Sequence, residues 1–307
     1  MRALRSSSIA ALLAALPASA LAHSTAEHTG EAARLGWTFE PWVVIPMAIS
    51  TLLYAAGVSR MWRHAGIGRG IRFAQCVAFA AAQLVLVGAL ISPLDALGSH
   101  LFSAHMMQHE MLMLIAAPLF VVSKPLAAWS WAFPRSARSG LPELTHRGAV
   151  KAPWQAITHP LSAWLLHAFA LWIWHLPALF ALALANEGWH ALQHASFLST
   201  ALLFWWSAIG VDLRGARRGI ALASLFTTML HTGALGALLT FGPRPWYPAY
   251  ASTTAAFGLD PLEDQQLGGL VMWVPGGLAY VVAALAIVGR YLGGASRRQQ
   301  PALSAAR

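Results

Sequence analysis

A single cysteine, Cys76, is the whole thiol inventory of this 307-residue chain. An intrachain disulfide and a CxxC thiolate pair are both excluded, so any soft-metal chemistry has to use histidine, methionine or a carboxylate. Charge is scarce as well. Charged residues make up 10% of the chain against 57% hydrophobic ones, with a mean hydropathy of +0.56, which excludes an ordinary soluble domain. Acid is the scarcer sign, 11 Asp and Glu against 20 Lys and Arg, for a net charge of +9. In a soluble protein that surplus would point to nucleic acid; here its position along the chain decides its meaning. GxSxG, HExxH and a phosphate loop are also missing, which leaves hydrolytic catalysis without a motif.

What remains is apolar and periodic. Residues 1–22 have a basic start at Arg2 and Arg5, a short apolar run and a small-residue end, the pattern of a secretory signal peptide cleaved after Ala22. A polar tail, 23–41, follows. Seven segments then have roughly the 20 apolar residues a bilayer requires, at 42–60, 73–92, 100–122, 161–184, 190–209, 219–241 and 267–290, and a basic tail covers 291–307. Arg60, Arg63, Arg69 and Arg72 lie after the first segment, Lys124 to Lys151 after the third, Arg214 to Arg218 after the fifth, and Arg297 and Arg298 in the tail. The alternate loops carry Asp95, Glu187, Asp260, Glu263 and Asp264, with Arg244 the basic exception. The positive-inside rule therefore sets the expected fold: an all-α polytopic membrane bundle, seven transmembrane helices, N-terminus outside and C-terminus inside. Orientation and anionic lipid headgroups account for the basic loops, and no nucleic-acid partner is needed. Prolines at 134, 142 and 153 make 123–160 a poor continuous helix, and Trp273, Pro275, Gly276 and Gly277 point to a kinked, closely packed last span.

This topology gathers the histidines. His100 lies at the outer end of the third span, with His105 and His109 roughly 7 and 13 Å deeper, four residues apart and about 40° round the helix, so that both face one neighbour. His175, His190 and His194, the last two again four apart, fall near the outer surface, and His231 lies outward of the middle of the sixth span. Seven of the 13 histidines thus occupy the outer half, from four spans. Ionisable groups inside a span are costly and need partners, and neutral imidazole is a good ligand for copper. His105, His109, His175, His190, His194 and His231 are the candidate metal ligands. Each alone is equally suited to a hydrogen bond with a neighbouring helix, and Met106, Met107, Met111 and Met229 equally to packing. At the cleaved N-terminus His23, with His28, offers a chelating amine and imidazole or merely a mobile leader. Asp260 before Pro261 reads as a helix cap with Asp264 in the first turn, and Glu110 projects about 100° away from His109.

HMMQHEMLMLIAAPL, WIWHLPALF with WHALQHASFLSTALLFWW, and PLEDQQLGGLVMWVPGG, in this order over roughly 40–290, resemble the CtaG family of assembly proteins for caa-type cytochrome c oxidases. The resemblance implies a seven-span, non-enzymatic factor of the bacterial inner membrane, with copper as its metal and oxidase subunits or other copper-handling proteins as partners. Its motif histidines carry over to His105, His109, His175, His190 and His194, and its acidic motif to Asp264 with Gln265. Glu110 departs from the family, which has an apolar residue there. Two alternatives stand beside this reading: a haem-binding redox protein, since histidines from two spans can hold a haem, and a copper permease.

Overall fold

The third apolar segment becomes the axis of the bundle. In a computed structural model, which describes residues 35–138, 148–210 and 216–304 (side chains in 35–138, 150–210 and 216–293), it is the helix α4, Phe102–Ser123, with a π-helical turn at Met111–Ala116. Its apolar window is 61% buried, against 33% or less in the other long apolar helices. Before it come α1 (Pro41–Ala65), α2 (Phe73–Leu90) and the short α3 (Pro93–Gly98); after it, α5 (Pro125–Ala132), α6 (Gly148–Ile157), α7 (Pro160–Trp174), α8 (Pro177–Ala185), α9 (Glu187–Trp205), α10 (Ala216–Thr240) and α11 (Pro261–Ser304). α4 packs against α2, α3, α9 and α11. Among the described residues there is no strand.

Five of the seven expected spans are recovered, and three stretches differ. Five helices are long and apolar enough to cross a membrane, α1, α2, α4, α10 and α11, and α6 with α7 would make a sixth, bent by 65° where Thr158 and His159 precede Pro160. The segment 161–184 is therefore not one helix. α7 ends at His175, and Pro177, which has no N–H to give and forces Leu176 into extended backbone (φ −63°, ψ 128°), starts α8. The segment 190–209 is helical as α9 with a π-helical end, Trp206–Gly210, but Glu187, His190, Gln193 and His194 dilute its apolar character, and it is not among the five. Between 123 and 160 the chain is not a continuous helix: Pro134 lies at a break after α5, Pro153 is accommodated inside α6, and Pro142 falls outside the described residues. The signal peptide, His23 and His28 lie outside the described residues.

Close approach along α11 runs from Gly268 and Gly269 to Trp273, whose backbone N would lie 3.0 Å from a Cβ on Gly236, with Gly276 beside the Glu110 carboxylate. α11 runs without interruption through Pro275, while a Cβ on Gly268 would lie 2.4 Å from the Phe102 ring, and one on Gly236 2.8 Å from the Gly269 carbonyl oxygen. Only glycine lets α11 touch both α4 and α10 at this level. The basic side chains collect at the opposite end of the bundle: Arg60 donates to the Ala132 carbonyl, and the guanidiniums of Arg138 and Arg218 sit 3.7 and 4.0 Å from the ring centres of Trp131 and Tyr291.

Candidate metal centre

Three helix ends converge on one point at the start of α4. His105 and His109, one turn apart on α4, have ring centres 4.4 Å apart. From the first turns of α9, His190 lies 5.2 Å from His105 and 4.2 Å from His194, and His194 lies 5.2 Å from His109. His175, at the C-terminal end of α7, completes the group 6.4 Å from His109. His105, His109, His175 and His194 are buried and His190 is half-buried. One ring nitrogen from each of His105, His109 and His194 can be chosen so that all lie within 4.8 Å of one another, the only such group of three ligand side chains among the described residues.

The hydrogen-bond inventory sets this cluster apart. Both ring nitrogens of His105 and of His109, and Nε2 of His175, His190 and His194, are buried without a partner. Buried polar groups in folded proteins are almost always paired, because an unmade bond costs about 1–3 kcal/mol. For His175 the tautomer is fixed: its Nδ1 donates to the Leu171 carbonyl at 2.7 Å, which leaves Nε2 with a lone pair and no partner. A carbonyl holding the far nitrogen is the usual outer support of a metal-ligating imidazole. Tyr247 adds to it by donating its hydroxyl to the His175 carbonyl at 2.9 Å. Unpaired neutral imidazoles around one point form a donor set that fits copper.

Asp264 and Gln265 build the frame around the cluster. Rather than serving only the first turn of its own helix, the buried Asp264 carboxylate reaches across to cap α4, accepting from the Phe102 and Ser103 backbone N–H groups at 2.6 and 3.0 Å and from the Ser103 hydroxyl at 2.5 Å. The N-cap position of α4 is Leu101, which has no side chain able to do this. Gln265 accepts from the Trp246 N–H and donates to the carbonyls of Leu239 and Arg244, which fastens the loop after α10. Asp260 does cap α11, accepting from the Leu262 N–H at 2.8 Å. Tyr250 and Tyr247 are buried, and Tyr250 donates to the Gly98 carbonyl at 2.9 Å. Burial, with the Asp264 carboxylate nearby, pushes the Tyr250 phenol well up, so it stays a donor.

Two of the histidines singled out in the sequence fall elsewhere. His100 bonds the Ala96 carbonyl and packs edge-on to Phe257. His231 lies against Trp164, 5.8 Å between ring centres, and the histidine it faces is His167, which is outside the five. The methionines pack: Met106 is fully buried with Phe102, Phe180 and Tyr247, Met111 and Met229 sit in apolar clusters, and Met107 is exposed. Glu110 turns away from the histidines towards α11, where Gly276 makes room for its carboxylate: a Cβ there would be 3.2 Å from Oε2. One residue escaped the sequence reading. Gln193 is fully buried with its amide next to the His105 ring, close enough to interact with it though without a hydrogen bond of standard geometry, and its place three residues after His190, on the same helical face, was the available signal.

Residues 52–293 match the model of the cytochrome c oxidase caa3 assembly factor family, CtaG. The chain belongs to this family. All five clustered histidines, Asp264 and Gln265 lie within the matched region. Uncharacterized proteins of Mycobacterium bovis and Mycobacterium tuberculosis are each 25% identical over 263 residues, covering 82% of this chain and 39% of their own length. One of Mycobacterium leprae is 24% identical over 270 residues, covering 83% and 39%. The chain thus spans about two fifths of the length of these relatives. No solved structure matches it.

Proposed function

We propose that this protein is a non-catalytic assembly factor of the bacterial inner membrane that receives copper at His105, His109, His175, His190 and His194 and passes it to cytochrome c oxidase. The observation that carries this reading is the set of buried imidazole nitrogens left without hydrogen-bond partners around one point. Such an arrangement costs stability unless a ligand repays it. Membership of an oxidase assembly family supplies the client, a haem-copper enzyme. The basic side chains at the far end of the bundle support a seven-span topology with the N-terminus outside and the histidines facing the periplasm, α9 counting as a span despite its polar first turns. The haem alternative has less support. Three ligand nitrogens that can all lie within 4.8 Å of one another surround a single ion, whereas a macrocycle needs its axial ligands on opposite faces.

Deletion of the gene tests the proposal. Oxidase purified from the deletion strain is expected to contain its haem but less copper per enzyme than the parent, with restoration by the intact gene and not by one encoding His105→Ala and His109→Ala. Oxidase with a full complement of copper in the deletion strain would refute copper delivery.

A further inference from the structure

The five clustered histidines do not stand equally deep. His105 and His109 are 1% exposed, His175 3% and His194 9%, whereas His190 is half-buried in the first turn of α9 and lines a cavity of about 1000 Å³ beside the cluster. The nitrogens that can close on one ion belong to His105, His109 and His194. His190 is outside that set but adjoins it, its ring centre 4.2 Å from that of His194 and 5.2 Å from that of His105.

Freedom of movement separates the rings as well. His175 is held through Nδ1 by the Leu171 carbonyl, and its own carbonyl is held by Tyr247. Among the described residues no hydrogen bond ties the His190 ring, whose Nε2 is turned inwards and left without a partner. Side chains that reach the surface change rotamer within nanoseconds, so this ring has two places to be. A fixed carboxylate stands beside it. Asp95 lines the same cavity and lies close enough to act on His190 electrostatically, while the Thr38 hydroxyl and the Gln108 amide hold it in place, each donating at 2.9 Å. A cation on the cavity side is drawn to that charge, and the most exposed ring it meets is His190.

We infer that His190 is the exchange ligand of the centre. Turned outwards it takes the copper ion from a carrier; turned inwards it gives the ion up to His105, His109 and His194, and release follows the same path in reverse. At each step one copper–nitrogen bond forms as one bond to the previous holder breaks, the copper keeps its oxidation state, and the neutral imidazole keeps its N–H proton. The three buried rings set how tightly the ion is held, and His190 sets how fast it moves. This inference rests on the delivery reading above and adds to it the residue that governs the rate.

Stopped-flow loading and unloading of the purified protein test this, with copper supplied by, and then returned to, a coloured chelator. His190→Ala is expected to slow uptake and release together, each by about tenfold or more, while their ratio, the dissociation constant, moves by less than about threefold. His194→Ala removes one of the holding ligands and is expected to weaken binding by about tenfold or more through faster release. Damage to the fold would also speed release, so a slowing of both rates is a result that a merely structural role does not give. Faster uptake and release in His190→Ala would make the ring a cover, unchanged rates would make it a bystander, and a loss of affinity equal to that of His194→Ala would make it a holding ligand. Each of these overturns the inference and leaves the delivery reading standing. A parent protein that binds no copper overturns both.

Discussion

Copper bound by the purified protein is expected to weaken by roughly 100-fold or more when His105 and His109 are both replaced by alanine, because the change removes the two best-buried donors of the cluster, and even the outer supports of metal ligands are worth 10–100-fold. The measurement is copper per chain after dialysis against a competing chelator. His231→Ala serves as the control and is expected to leave copper binding intact, since that side chain packs on Trp164. Stability should move the other way. All four ring nitrogens of His105 and His109 are buried and unpaired, so leucine at both positions removes orphaned polar atoms at similar volume. The metal-free double leucine variant is therefore expected to melt at or above the parent's temperature while binding no copper. A variant that loses stability sharply would show that these imidazoles are paired in the folded protein, and would count against a metal site.

The second large effect is expected from Asp264→Ala. One carboxylate closes the first turn of the central helix with two backbone bonds and one hydroxyl bond, all buried or half-buried. Loss of a cap costs about 0.5–2 kcal/mol, and stranding buried donors of a charged acceptor adds to it, for a total of roughly 2–4 kcal/mol. At this chain length the melting temperature in detergent should fall by roughly 5–15 °C. Asn, which keeps one acceptor oxygen, should fall between the parent and Ala. Copper affinity is expected to drop with it even though no bond from Asp264 reaches a histidine, because the capped turn, Phe102 and Ser103, directly precedes His105. An alanine variant that melts with the parent would show that α4 starts without this cap.

These two sites differ in how far the sequence reveals them. The pairing of His105 with His109, and of His190 with His194, follows from spacing alone, since residues four apart share a helical face. Their meeting with His175 follows from the alternation of basic loops, which sets the direction of each segment and brings the same ends together. The role of Asp264 does not follow. It lies 162 residues from the N–H it caps, and its position in the first turn of α11 gives a sufficient local reason for an acid. His231 is the opposite case: its place along α10 was readable, but the side of α10 it faces depends on how that helix rotates against α7. The break between α7 and α8 was visible as Pro177, yet the apolar run on both sides outweighs a single proline in any reading by hydropathy. α9 is the converse case, where polar residues needed for the centre lower the apolar signal of the helix that carries them.

The most direct test of the central claim is X-ray absorption at the copper edge on the purified, copper-loaded protein. A shell of nitrogen with the multiple-scattering pattern of several imidazoles and no sulfur is expected, lost in the His105→Ala, His109→Ala variant. A shell containing thioether sulfur, or a signal unchanged by that double substitution, would place the metal elsewhere and contradict it.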